Sequence, residues 1–282
     1  MKKKIILITF VCILFLIVIY GKIQSPTITT DGEPYFFINN YDCTINKENQ
    51  TYLGFMFVDS KKNSKIKEIL NEENNISFQG SDDIEVVKKE LMEGSEYENI
   101  RIYNLILNVK FKESGEKKFN KIVLKDAKKQ THEYNIGDIK INVVEDKPND
   151  NIRIVSHSGI SKNSLNEYYC EYINQSNKNI VIDSVDIGGF EKYTDRIEYT
   201  VKDEVVSDKE NIVVENDESF KINIIFNDNN DYDIYTFNPV INYRYENEKN
   251  TLKLLPFQAI YKTDFDEVQM NEFLKKYLIS SI

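Results

Sequence analysis

The segment Asn227-Asp228-Asn229-Asn230-Asp231-Tyr232-Asp233 gathers carboxylate and amide oxygens, the hard donors that calcium prefers. Asp228, Asp231 and Asp233 would be its ligands. The spacing is not that of an EF-hand loop, because neither Asn227 nor Asp228 is followed by a glycine at the sixth position or a glutamate at the twelfth. The segment therefore reads as a solvated hairpin turn, and no metal or cofactor is expected. Hydrolytic chemistry fares no better. The chain has 2 histidines, His132 in Gln130-Thr131-His132-Glu133 and His157 in Ser156-His157-Ser158-Gly159, both in turn-like surroundings. Neither has a partner at zinc-ligand spacing, and the second is not the Gly-x-Ser-x-Gly turn that presents a nucleophilic serine. Gly188-Gly189 stands alone and is not a phosphate-binding loop. With 46 acidic residues some pair of carboxylates could serve glycoside hydrolysis, but the chain has no Trp to stack a sugar ring. No catalytic residue is assigned.

Cys43 and Cys170 follow the N-terminal apolar run, and an extracellular address would permit a disulfide between them. Two buried free thiols are the favoured reading, because the internal repeat described next gives neither half a pair of its own.

These residues sit on a duplicated lattice. Leu105, Leu107, Val109 and Phe111 alternate with other residues, and Phe220, Ile222, Ile224 and Phe226 repeat the pattern 115 residues later. Phe57-Val58-Asp59-Ser60 answers to Tyr172-Ile173-Asn174-Gln175 at the same offset. Two blocks in common register imply a tandem duplication. Later blocks drift: Ile122-Val123-Leu124 answers to Pro239-Val240-Ile241, and Tyr134, Ile136 and Ile139 to Leu252, Leu254 and Phe257, as turns of unequal length would cause. Short alternating segments between polar turns predict two antiparallel β-sandwiches of the general Ig-like kind. The expected strands include Tyr35–Ile38, Tyr52–Val58, Ile66–Leu70, Ile152–Val155, Tyr168–Ile173 and Ile180–Val185. Residues 82–94 carry a helix-like pattern, but their repeat partner Ile197–Val201 alternates, so a strand is expected there. Without Trp or an internal disulfide, neither unit has the marks of an antibody domain.

The N-terminus supplies an address. Lys2, Lys3 and Lys4 precede the apolar run Ile5–Tyr20, too long for an ordinary signal core and without small residues at alternate positions before a cleavage point. Residues 1–24 are expected to form an uncleaved anchor with its N-terminus in the cytoplasm, followed by a stalk, 25–34. The first sandwich spans 35–146, a polar linker 147–150, and the second sandwich 151–263. Residues 264–282 revert to helical spacing, with Asp264 and Glu267 as a capping pair and an apolar face of Val268, Met270, Phe273, Leu274, Tyr277 and Leu278. That helix is expected to cover the second sandwich, with Val268, Phe273, Leu274, Tyr277 and Leu278 as the candidates for binding a partner instead.

The 282 residues carry a formal charge of -10, and residues 1–24 hold four lysines and no acid, so the exported part is four charges more negative. Such a body repels nucleic acid. Abundant Asn, Lys and Ile suggest an AT-rich bacterial genome. The sequence thus points to a single-pass, membrane-anchored extracellular protein that binds a surface ligand or adheres. The alternatives are an accessory subunit of a membrane transporter or secretion complex and, third, a surface hydrolase. Intact mass of protein extracted from membranes should correspond to the full 282 residues; a mature N-terminus near residue 22 or 26 would refute the uncleaved anchor.

Overall fold

The computed structural model describes residues 33–61, 64–70, 76–97, 99–145, 151–157, 160–162, 167–206, 212–227, 232–254, 256–260, 269–270 and 272. In the first half these form β1 (Tyr35–Phe36), β2 (Asn39–Asn46), β3 (Thr51–Ser60), helix α1 (Lys65–Leu70), β4 (Ile76–Phe78), β5 (Ile84–Glu96), β6 (Ile100–Phe111), β7 (Gly115–Lys125) and β8 (Thr131–Val144). The second half has β9 (Ile152–His157), β10 (Ile160–Lys162), β11 (Glu167–Asn174), β12 (Ile180–Asp186), a 3-10 helix (Gly188–Tyr193), β13 (Thr194–Val201) and β14 (Glu204–Val206). It continues with β15 (Ile212–Val214), β16 (Ser219–Phe226), β17 (Ile234–Phe237), β18 (Val240–Tyr245), β19 (Glu248–Lys253) and β20 (Phe257–Ile260). The protein is all-β. The expected anchor falls outside the described residues, among which no helix is long and apolar enough to cross a membrane.

Each half packs two sheets on one core. Sheet β1-β3-β6-β5 in the first half has the same order as β9-β11-β16-β13 in the second, where β14 adds an edge. Leu105, Leu107, Val109 and Phe111 are buried in the first core with Ile122, Leu124 and Ile141 of the facing sheet. Phe220, Ile222, Ile224 and Phe226 are buried in the second with Ile180, Ile182 and Tyr243. The period of two puts each set on one face. Pairing has slipped between the copies: Phe55 faces Leu105, whereas Cys170, its equivalent at the 115 offset, faces Ile222 rather than Phe220. A slip of two residues leaves every side chain on its own face, so both cores survive it. One aromatic pair recurs with its members exchanged. Phe57 stacks on Tyr103 and Tyr172 on Phe220, with ring centroids 5.2 Å apart in both pairs, and such contacts contribute about 0.5–1.5 kcal/mol beyond burial.

Residues 84–96 form the expected strand, but Ile66–Leu70 is a correction. This segment lies within α1, while its repeat partner is the strand β12. Local spacing decides between them. Ile66, Ile69 and Leu70 lie at helical intervals and all are buried, and Ser64 Oγ caps the turn by accepting the Lys67 N–H at 3.2 Å. Ser64 is itself held by its hydroxyl, which donates to buried Asp59 at 2.5 Å.

The halves are not joined by the linker alone. Strands β10, β17 and β20 from the second half extend the first half's sheet into the order β10-β20-β17-β2-β8-β7-β4. β17 lies parallel to β2, with Ile234 opposite Asn39 and Phe237 opposite Asp42, and antiparallel to β20. All four of its residues are buried, as expected of a strand covered on both faces. Tyr235, Phe237 and Phe257 belong to the second core, while Ile234 packs with Phe37, Val58, Ile100 and Ile102 of the first half. Met270 joins that last cluster. That cluster holds residues of both halves, and the rest of the predicted apolar face lies outside the described residues.

Two substitutions test this arrangement. Phe226→Ala removes a buried ring 5.3 Å from Phe237 and should cost about 3–5 kcal/mol in denaturant unfolding; a change near zero would contradict the packing. Gly137 has φ +90°, and a Cβ there would lie 2.1 Å from the Asn39 carbonyl oxygen, whereas Gly80, at φ +78°, has open space around it. Gly80→Ala should therefore cost only the left-handed strain of about 1–2 kcal/mol, and Gly137→Ala far more. Equal losses would show that β2 and β8 do not approach as described.

Candidate functional site

Strand β2 runs through the centre of the seven-stranded sheet and alternates strictly, turning Tyr41 and Cys43 inward and Asn40, Asp42 and Thr44 outward. It is parallel to both neighbours, β8 and β17. Its start is fixed by buried Asn39, whose amide donates to the Phe37 carbonyl at 2.9 Å and the Ile136 carbonyl at 3.2 Å. Beside it Asp233 Oδ2 accepts the Ile38 N–H at 2.9 Å, and the Asp233 N–H returns a bond to the Ile38 carbonyl at 3.0 Å. At the other end Pro239 follows β17 and cannot continue a ladder. Asn238 takes over with its side chain, accepting the Thr44 N–H at 2.7 Å and donating to the Thr44 carbonyl at 2.6 Å.

Two adjoining hollows lie on the outer side of this sheet. One, of about 500 Å³, is lined by Asn40, Asp42, Gln79, Lys118, Asn120, Asp138 and Lys140 together with Tyr41, Phe119 and Ile139. The other, of about 260 Å³, shares Asp42 and Lys140 and adds Thr44, Glu116, Asn142, Asp186, Gly188 and Asn238. Asp42 is the pivot. Its Oδ2 accepts from Lys140 Nζ at 3.1 Å and from the Gly189 N–H of the 3-10 helix at 3.0 Å. Gly188, at φ +59°, would bring a Cβ within 3.1 Å of the same oxygen, which is why a glycine stands at this approach. The Tyr232 hydroxyl donates to Asp138 at 2.5 Å, so the second half also holds the groove's far wall. Lys118 pairs with Glu116 at 2.6 Å. The larger hollow presents polar and apolar surface in about equal measure and the smaller one is mostly polar; the charges are of both signs and several are held by internal bonds, an arrangement that can orient a ligand but presents no nucleophile beside a base.

The sequence candidates fall elsewhere. Asp228 and Asp231 lie outside the described residues. Asp233 is buried as a cap on β2. Among the described residues no group of three or more His, Cys, Asp and Glu could hold a metal ion. Val268, Phe273, Leu274, Tyr277 and Leu278 also lie outside the described residues. The histidines are on strands rather than in turns: His132 is in β8, 3.5 Å from Asp126, and His157 ends β9. Cys43 and Cys170 are free and buried. Burial raises the Cys43 thiol far above its ordinary pKa and raises Cys170 as well, so neither is a thiolate nucleophile. Asp42, Lys140 and Asn238 were missed because only the fold brings them together. Their one trace in the sequence is the polar alternation of residues 40–44.

No protein-family model matches this sequence, and no curated protein matches it. Solved structures align over most of its length with poor superposition. A protein of unknown function from Porphyromonas gingivalis shows 10% identity, covering 81% of this chain and 100% of its own, with a TM-score of 0.23. The C-terminal domain of the Streptococcus agalactiae AgI/II polypeptide BspA shows 8% identity over 81% and 100%, TM-score 0.22. The tandem Ig repeats of Dlar show 9% identity over 81% and 98%, TM-score 0.21.

Proposed function

We propose that this chain is a membrane-anchored, extracellular, non-catalytic binding protein, two tandem Ig-like sandwiches holding a polar surface ligand in the groove at their junction. The observation that carries this reading is the groove's construction from both halves. The smaller hollow takes Asp42 and Lys140 from one half and Gly188 and Asn238 from the other; the larger is lined by the first half and is braced by the second through the Gly189 N–H on Asp42 and the Tyr232 hydroxyl on Asp138. Sites between units are common because two surfaces there form a concavity that neither has alone. Asn40, Gln79 and Asn120 offer amides that both donate and accept, and exposed Lys118 and Asp138 add one charge of each sign. That set suits a ligand rich in hydroxyl and amide groups, such as a surface glycan. The basic residues and apolar run at Lys2–Tyr20 support a cell-surface location.

The test compares full-length protein in detergent with a Lys118→Ala/Asn120→Ala/Asp138→Asn variant on arrays of bacterial and host surface glycans. Lys118 and Asn120 are exposed, and asparagine at 138 keeps an oxygen for the Tyr232 hydroxyl, so Tm should change little, while retention should fall by about tenfold or more, or 1.4 kcal/mol. Retention that is absent, or indifferent to all three substitutions, overturns the reading.

A further inference from the structure

We propose that this chain assembles head to tail with further molecules of itself, by repeating between molecules the seam that joins its own two units. The duplication has written both edges of that seam twice. Phe119 lies opposite Ile139 as Phe237 lies opposite Phe257, and Asp42 opposite Lys140 as Ile160 opposite Gln258. Each of these second-unit residues stands 118 positions after its counterpart. β10, β20 and β17 are therefore the second unit's β2, β8 and first part of β7. Within the chain the outer edge of β2 pairs with the outer edge of β17. Their counterparts are the outer edges of β10 and of residues 115–120 in β7, and among the described residues neither has a partner strand. β4 occupies β7 only from Ile122 onward, just as β12 occupies β18 only from Val240 onward, 118 positions later. The room left open on β7 is thus the room that β2 fills on β17, and a Cβ at Gly115 would meet nothing within 4 Å.

One side chain marks the open edge as a socket. Asn238 closes the internal seam by accepting the Thr44 N–H and donating to the Thr44 carbonyl. The counterpart of Asn238 is Asn120, and that of Thr44 is Lys162 on β10. Asn120 is exposed and makes no side-chain hydrogen bond among the described residues. Val155, at 50% exposure, is the counterpart of Phe37, which is fully buried beside Ile234 in the internal seam. The two seams differ at one end, where Gly115, Glu116 and Lys117 stand in place of Asp233, Ile234 and Tyr235. A contact between molecules therefore lacks the Asp233 cap and the Ile234 plug, and edge charges of this kind keep it reversible. The occupant is a second copy because the matching edge is already present in the chain and already pairs in this way inside it. Because the two edges are different, the contact is heterologous and runs on from molecule to molecule instead of closing as a symmetric dimer. The assembly rests on strand pairing alone and not on a ligand in the groove.

The test uses the full-length chain in detergent carrying Lys118→Cys or Ser161→Cys, over a range of protein concentrations, with a short bismaleimide as the probe and the parent chain as background. Within one chain β7 and β10 are five strand spacings apart, about 24 Å, so a link between these positions joins two molecules. A mixture of the two single variants should give a cross-linked pair, and a chain bearing both substitutions should give a ladder of larger species that shortens on dilution. Asn120→Ala should lower the yield by about fivefold, the loss of a hydrogen-bonding amide, while Tm is unchanged. Absence of the mixed link at every concentration overturns the proposal. So does a link as frequent between two molecules of one single variant as between the two variants, which indicates a symmetric contact, or a yield indifferent to Asn120→Ala. Glycan retention plays no part in the readout, so failure here leaves the groove's reading to its own test.

Discussion

The main chain of β17 is hydrogen-bonded into the first unit, while Tyr235 and Phe237 fill the core of the second. Neither half can shed this strand without loss, because removal strips β2 of a parallel neighbour and opens the second core at the same time. A buried main-chain group left without a partner costs about 1–3 kcal/mol, and an emptied aromatic site costs about 3–5 kcal/mol. The junction is consequently held by the same two interactions, main-chain pairing and core burial, that hold either sandwich. Asp233 and Asn238 mark its limits, each giving a side chain to β2 where the β17 main chain runs out. The groove is tied to this junction, since Asp42 lies opposite Phe237 on the strand being clamped.

Much of the architecture is legible in the sequence because a sheet with one covered face writes itself as alternation. β6 and β16 are the clearest cases, and their common offset exposes the duplication. Residues 84–96 show the repeat overruling a local helical pattern, since β5 must pair along most of β6. At Ile66–Leu70 the local pattern overrules the repeat. There Ser64 and Asp59 supply a cap, and the second unit has Asn179 ahead of an alternating run instead. Duplication preserves the core better than the connections, because a connection can change its fold without disturbing β3 or β6.

β17 itself does not alternate. Ile234-Tyr235-Thr236-Phe237 is covered on both faces, and a short run of that kind carries no period to read. The groove was hidden for a related reason. Asp42 meets Gly189 across 147 positions and Ile38 meets Asp233 across 195, and no local spacing encodes such contacts. Acidic Asp228–Asp233 drew attention as a ligand loop, and its one described carboxylate is spent on a backbone amide.

The 195-residue separation between Ile38 and Asp233 also bears on how the chain is made. During synthesis or export from the N-terminus, β2 emerges about 195 residues before its parallel partner β17, so one side of β2 stays an open template until that strand appears. Loop closure over such spans is slow compared with the pairing of β5 with β6 or β7 with β8, which are neighbours in sequence. The hairpins therefore form first and the seam between the units last. A ribosome that stalls before residue 234 leaves a nascent chain with an unsealed edge at its heart, the form of this protein most exposed to proteases and to sticking to its own copies.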